Sequence, residues 1–275
     1  MKEKKFKKVL IYLFIIIIII IINVPFFSMI QKAFTPDKVL IEYKSSLLGK
    51  LKMDNFIVVL TGTEYGKTII NSIIVSFFAT IICIIISSLL GYALSRFRGR
   101  VFNIYSLLLF ILQMFPLILL LIPLFIIFKH FHLINTLFSI IISYIAIALP
   151  FSAMMLKSFF DTIPFEIEES ALIDGCNRFG TYFRIILPIS LPGLATVGIF
   201  VFIFAWGEYM LASIMVTTKV SRTLTVGLQL FRQQYVTSWG DLMAASFLAT
   251  IPSFLFLLFA QRYLISGLAS SAVKG

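Results

Sequence analysis

Six apolar stretches of twenty or more residues, at 9–30, 68–94, 102–128, 134–156, 189–216 and 242–265, run along the chain with polar residues gathered between them. A bilayer-spanning helix needs about 20 apolar residues, so each stretch predicts one transmembrane helix. The first contains the isoleucine run 15–22 and follows a lysine-rich start, Lys2, Lys4, Lys5, Lys7 and Lys8. It is too long for a signal-peptide core of about 7–15 residues, and no small-x-small site precedes Asn23-Val24-Pro25. A retained helix 9–30 is therefore expected, with residues 1–8 in the cytoplasm. Residues 31–67 carry Lys38, Glu42, Lys44, Lys50, Lys52, Asp54 and Glu64. Charges at helix-centre depth cost about 2.5–3.5 kcal/mol each, so this segment predicts an external loop. The core 68–275 then holds the other five helices.

The polar segment between the fourth and fifth stretches, residues 157–188, does not read as a simple connector. Pro164 suits a first helical turn, where its missing N–H costs nothing. Glu166, Glu168 and Glu169 follow where carboxylates favour the helix dipole, and Gly175 suits a left-handed C-terminal cap. A second short helix is expected over 177–186, ended by Pro188. The pair reads as a helix-turn-helix at the cytoplasmic surface, with small Ser170, Ala171 and Gly175 where the helices meet. Ala171, Asp174 and Gly175 fall on one helix face and predict a low patch for another protein. A hairpin merely resting on lipid would present Lys and Arg, whereas this first helix is acidic.

Composition narrows the picture. The chain is 60% hydrophobic and 13% charged, with a mean hydropathy of +1.05; soluble domains carry roughly 25% charged residues. A water-soluble globule is excluded, and no second soluble domain fits. The net charge of +11 lacks the polar surface that nucleic acid would need, and reads instead as orientation against anionic lipid. Thirteen of the 23 lysines and arginines fall on the proposed inner side. The terminal lysines and Arg96, Arg98 and Arg100 abut helix ends, which favours N-in and C-in.

Candidate chemistry is sparse. Cys83 and Cys176 supply neither a disulfide framework nor a metal motif. His130 and His132 lie in a short loop without acidic or thiol neighbours, so no metal or other cofactor is expected. No phosphate-binding loop GxxxxGK[ST] occurs, so the chain is expected to be non-catalytic, with ATP chemistry on a partner. Pro25, Pro116, Pro123, Pro150 and Pro252 lie in or near spans. They are either packing kinks or bends that shape a cavity.

Glu169-Ser170-Ala171, three residues, Gly175, nine residues, Ile185, one residue, and Leu187-Pro188 resemble the EAA signature of inner-membrane permease subunits in binding-protein-dependent ABC importers, with Ser170 in place of the commoner alanine. Residues 204–209 (FAWGEY), 223–229 (TLTVGLQ), 261–268 (QRYLISGL) and the terminus Val273-Lys274-Gly275 are similar to maltose/maltodextrin-type carbohydrate permeases. The resemblance implies an all-α protein of six transmembrane helices in a bacterial inner membrane. It also implies a second permease subunit as heterodimer partner, two ATP-binding subunits and an external solute-binding protein. Glu169, Ser170, Ala171, Asp174, Gly175, Ile185, Leu187 and Pro188 would couple to an ATPase. The tail 266–275 would reach between the ATPase subunits. Trp206, Glu208 and Tyr209 are candidate pathway residues, since aromatic faces and few charges suit a neutral, hydroxyl-rich ligand. The competing class, an ion-coupled secondary transporter, would place several ionisable groups at membrane depth, and the spans are almost charge-free apart from Glu208 and, at the edge of the last, Asp241.

Overall fold

A computed structural model describes residues 2–36, 39–40, 52–232 and 238–272, excepting the side chains of 2–6, 9 and 259–272. The elements are α1 (Lys2–Ala33), α2 (Asp54–Ile57) with a π turn Val58–Gly62, α3 (Tyr65–Arg96), α4 (Arg100–Gln113), α5 (Leu117–His130), α6 (Leu137–Phe160) and α7 (Phe165–Ile173). There follow α8 (Arg178–Ile189, with a π turn Tyr182–Ile186), α9 (Leu191–Gly207), α10 (Met210–Met215), α11 (Leu224–Gly227) and α12 (Trp239–Ala272). Among the described residues, four helices are long and apolar enough to cross a membrane, or up to six spans if each of two bent pairs counts as one. The expected six-helix pattern is there, with specific departures.

The stretch 102–128 is not one helix. It breaks between Gln113 and Leu117, and α4 meets α5 at 103°. Pro116 is the cause: its ring excludes the helical conformation from Phe115 and removes an amide. The stretch 189–216 is also divided. Its helix stops at Gly207, where Glu208 is extended (φ −71°, ψ 133°). Pro188 does not end the hairpin's second helix, which continues to Ile189 before a 74° bend into α9. The π turn Tyr182–Ile186 just before it shifts the hydrogen-bond register, so an imino residue is tolerated. Pro164 sits one residue ahead of α7 as its N-cap rather than within the first turn. The helix predicted at 9–30 begins among the lysines and extends to Ala33, and that predicted at 242–265 continues to Ala272, inside the tail 266–275; Val273, Lys274 and Gly275 lie outside the described residues.

The chain forms two compact units. In the first (1–66 and 228–251), the segment expected as a loop at 31–67 holds the end of α1, α2 and the π turn Val58–Gly62; residues 37–38 and 41–51, with Lys38, Glu42, Lys44 and Lys50, lie outside the described residues. Buried Asn55 donates to the carbonyls of Ala33 (2.9 Å) and Thr35 (2.8 Å), while Phe34, Phe56 and Phe247 pack at centroid distances of 4.8–6.4 Å.

In the second unit (67–227 and 252–275) α6 is the axis: Ile140, Tyr144, Ala153, Leu156 and Phe160 expose no surface. Its buried serines have partners, as lipid-embedded helices require: Ser139 and Ser143 donate to the carbonyls of Thr136 (2.9 Å) and Ser139 (2.7 Å), and Ser152 accepts from the Cys83 thiol of α3 at 3.6 Å. Gly91 of α3 lets that helix approach α6 closely. A Cβ there would lie 2.9 Å from the Ala153 oxygen and the Lys157 nitrogen. Gly91→Ala should therefore part the two helices and lower the midpoint of thermal unfolding in detergent, at a cost of about 1–3 kcal/mol for overpacking; an unchanged midpoint would contradict this contact.

Candidate coupling site

The segment 157–188 forms a helix-turn-helix, α7 followed by α8, and its turn is specific. The Cys176 amide donates to the Ala171 carbonyl (3.0 Å) and the Gly175 amide to the Leu172 carbonyl (3.2 Å), with Gly175 at φ +88°. That pair of bonds is a Schellman motif, which satisfies the last carbonyls of α7 and turns the chain by a left-handed residue. Asn177 then caps α8, its side-chain oxygen accepting from the Gly180 amide at 2.7 Å. Asn177→Ala should cost about 1 kcal/mol through loss of this cap, seen as faster amide exchange at the start of α8; unaltered protection there would refute it.

The hairpin is tied to the end of α3 by side chains. Arg96, with its side chain 3% exposed, pairs through Nε with Glu168. Tyr92 donates its hydroxyl to the other Glu168 oxygen at 2.8 Å. A guanidinium NH2 group donates to the Ile163 carbonyl at 3.0 Å, and the guanidinium lies 4.5 Å from the Phe165 ring centroid. Asp161 accepts from Ser95 (2.6 Å) and Lys157 (2.7 Å). Arg178 of α8 sits over Phe97 at 5.2 Å. A cavity of about 200 Å³ lies beside the Arg96–Glu168 pair, lined by Tyr92, Arg96, Phe165, Glu168, Glu169, Leu172, Arg178 and Thr181. Buried charge is tolerated here because donors and acceptors are paired. Arg96 thus holds the start of the hairpin's first limb at three points, the Ile163 carbonyl, the Phe165 ring and the Glu168 carboxylate.

The sequence-derived site residues divide across this structure. Ala171 is buried, 4% exposed, and faces the chain's own interior rather than a partner. Its place on the predicted patch is corrected accordingly: α7 turns this small side chain inward, where a larger one would lift the hairpin from the core. Ser170, Glu169, Asp174, Gly175 and Pro188 are exposed, and Ile185 and Leu187 are half-buried. The predicted meeting point of Ser170, Ala171 and Gly175 is thus carried by Ala171 alone. The outward surface instead combines Asp174 and Gly175 with two exposed apolar side chains, Ile173 (85% exposed) and Phe179 (74% exposed). Arg96 and Tyr92 were not legible as site residues, although the basic turn that Arg96 opens and the tyrosine one turn before it were a signal.

Trp206, Glu208 and Tyr209 are adjacent in sequence but not in environment. Trp206 is buried and stacks on Phe202, their rings 13° from parallel. Glu208 is 8% exposed, and its two carboxylate oxygens accept from the amides of Leu211 (3.0 Å) and Ala212 (3.3 Å), capping α10. Its carbonyl accepts from Thr225 at 2.7 Å. Of the three, Tyr209 alone is exposed.

Several known proteins resemble the chain. The trehalose/maltose transport system permease protein of Thermococcus litoralis is 36% identical, with the whole of both chains covered. The trehalose transport system permease protein of Mycobacterium tuberculosis is 35% identical over 81% of this chain and 82% of that one. In structure, a bacterial ABC transporter involved in the import of the acidic polysaccharide alginate superposes with a TM-score of 0.84, covering 96% of this chain and 98% of that one at 18% identity, which is a likeness of fold. A tied-down hairpin among apolar helices, relatives along the full length and a family model matched over residues 83–270 lead to one conclusion: the chain belongs to the family of binding-protein-dependent transport system inner membrane components.

Proposed function

We propose that this chain is one half of the permease of an ATP-driven importer of maltose, trehalose or a related gluco-oligosaccharide. The observation that carries the reading is full-length 36% identity to a trehalose/maltose permease. It agrees with a hairpin whose exposed tip, Ile173, Asp174, Gly175 and Phe179, is braced on the helical core by Arg96 and Glu168. An apolar pair beside a polar turn suits a protein partner, and a chain lacking a phosphate-binding loop needs an ATPase to supply the energy. The partners are a second permease subunit, two ATP-binding subunits, one of them docked at this hairpin, and an external solute-binding protein. Both termini face the cytoplasm, so residues 31–67 lie outside and the tail 266–275 lies near the ATPases.

The test is reconstitution of the complete complex in proteoliposomes with its receptor and radiolabelled maltose, trehalose or maltodextrins. Uptake should require ATP and survive an ionophore. Uptake abolished by the ionophore and indifferent to ATP would establish the ion-coupled class instead. Uptake of an unrelated solute alone would overturn the sugar assignment.

A further inference from the structure

The hairpin stands at one end of α6, and a pair of bonded loops stands at the other. α6 has 24 residues, about 36 Å of helix at 1.5 Å per residue, which is enough to cross a hydrocarbon core of about 30 Å. Its last residue, Phe160, leads into the hairpin. Its first, Leu137, therefore lies on the opposite side of the membrane, together with the loop 131–136 that joins it to α5. The non-helical segment 216–223, between α10 and α11, packs on that loop.

One residue makes the junction. Asn135, at φ +66°, adopts the left-handed region that asparagine tolerates better than most side-chain-bearing residues. Its Oδ1 accepts from the amides of Thr217 (2.7 Å) and Thr218 (3.1 Å) and from the Thr217 hydroxyl (3.0 Å). Its carbonyl accepts from the Ser221 hydroxyl (2.7 Å), and its amide donates to the Met215 carbonyl (2.9 Å). From the other side, Asn71 of α3 donates to the carbonyls of Val220 and Arg222, both at 2.9 Å. The Ser72 hydroxyl accepts from the Leu224 amide at 2.7 Å. An irregular segment is thus clamped on two sides, with Lys219 and Val220 (78% exposed) at its tip. The charged residues of 129–136 and 216–225 are Lys129, Lys219 and Arg222, and neither stretch contains Asp or Glu.

Resting on the sugar-import reading, which puts the hairpin inside and these loops outside, we infer that the clamped pair of loops is a docking surface for the external solute-binding protein, and that the face it meets is acidic around an apolar spot for Val220. A loop fixed before contact gives up little conformational entropy when a partner lands. Charge of one sign steers the approach of a partner of the other. Attachment to lipid would instead place Lys and Arg along a helix whose apolar face sinks into the headgroups, whereas these charges stand on a turn fixed by hydrogen bonds.

The experiment titrates the sugar-loaded receptor against the complete complex in phosphatidylcholine proteoliposomes, with and without phosphatidylglycerol, and reads ATP hydrolysis. Lys219→Glu should raise the half-saturating receptor concentration roughly tenfold at 0.05 M salt and about twofold at 0.5 M, with the plateau at saturating receptor retained. Asn135→Gly keeps the left-handed backbone and deletes the acceptor; it should raise the same concentration about fivefold at either salt, the cost of ordering a loosened loop. An unchanged titration for Lys219→Glu at low salt overturns the inference. So does a Lys219→Glu defect confined to phosphatidylglycerol-containing membranes, which would assign the loops to lipid. So does an Asn135→Gly complex with a lowered thermal midpoint and a wild-type titration, which would assign the clamp to the fold alone. Each of these leaves the sugar reading standing. Absence of receptor-dependent maltose and trehalose uptake by the parent complex overturns both.

Discussion

A complex carrying Gly175→Val is expected to insert and accumulate like the wild type while losing ATP-driven uptake and co-purifying poorly with its ATPase. The reason lies in the turn between α7 and α8. Gly175 has φ +88°, a conformation that costs an L-residue about 1–2 kcal/mol. A Cβ at this position would meet no atom of the chain within 4 Å, so the hairpin itself does not reject the side chain. Two effects remain, strain in the Schellman turn and obstruction of whatever packs on its exposed surface. Gly175→Asn separates them, because asparagine accepts the left-handed region more readily than a β-branched residue. Inactivity of both variants points to the partner; rescue by asparagine points to the turn. Cys176→Ser should change little, since Cys176 contributes its backbone amide to the turn. Wild-type ATPase association and uptake in Gly175→Val would remove the coupling role.

Arg96→Met should have the other large effect. It deletes the guanidinium that serves Glu168, the Ile163 carbonyl and the Phe165 face together. Glu168 is left largely buried with the Tyr92 hydroxyl as its remaining donor. Removing one partner of a buried pair costs about 3–5 kcal/mol, here spent on the attachment of α7 to the end of α3. A hairpin that can move independently of the core transmits little, because only a differential interaction shifts a conformational equilibrium. The expected outcome is ATP hydrolysis that no longer responds to the loaded receptor, with uptake reduced at least as strongly. Arg96→Met combined with Glu168→Gln should recover part of the stability by removing the stranded charge, but not the coupling. Receptor-stimulated hydrolysis at the wild-type level in Arg96→Met would show that this brace is structural alone.

What could be read from the sequence followed from one-dimensional physics. Twenty apolar residues in a row have one stable fate in a bilayer, so the spans were placed to within a few residues at 68–94 and 134–156. The hairpin was equally legible. Acidic residues at a helix start, a glycine at its end and the spacing from Glu169 to Pro188 are local signals, and the turn at Gly175 forms from bonds within six residues of chain. Hydrophobicity cannot report direction, and this is where the reading departed from the fold. The stretch 102–128 is apolar throughout, yet Pro116 divides it by 103°, and 189–216 stops at Gly207 because Glu208 is drawn into capping α10. Which side chains share a site was decided by tertiary structure alone. Arg96 and Glu168 are 72 residues apart, and Asn135 and Thr217 are 82 apart. Ala171 turned inward and Glu208 became a cap because every polar group and small side chain away from water takes the partner the packing offers, and that partner lies elsewhere along the chain.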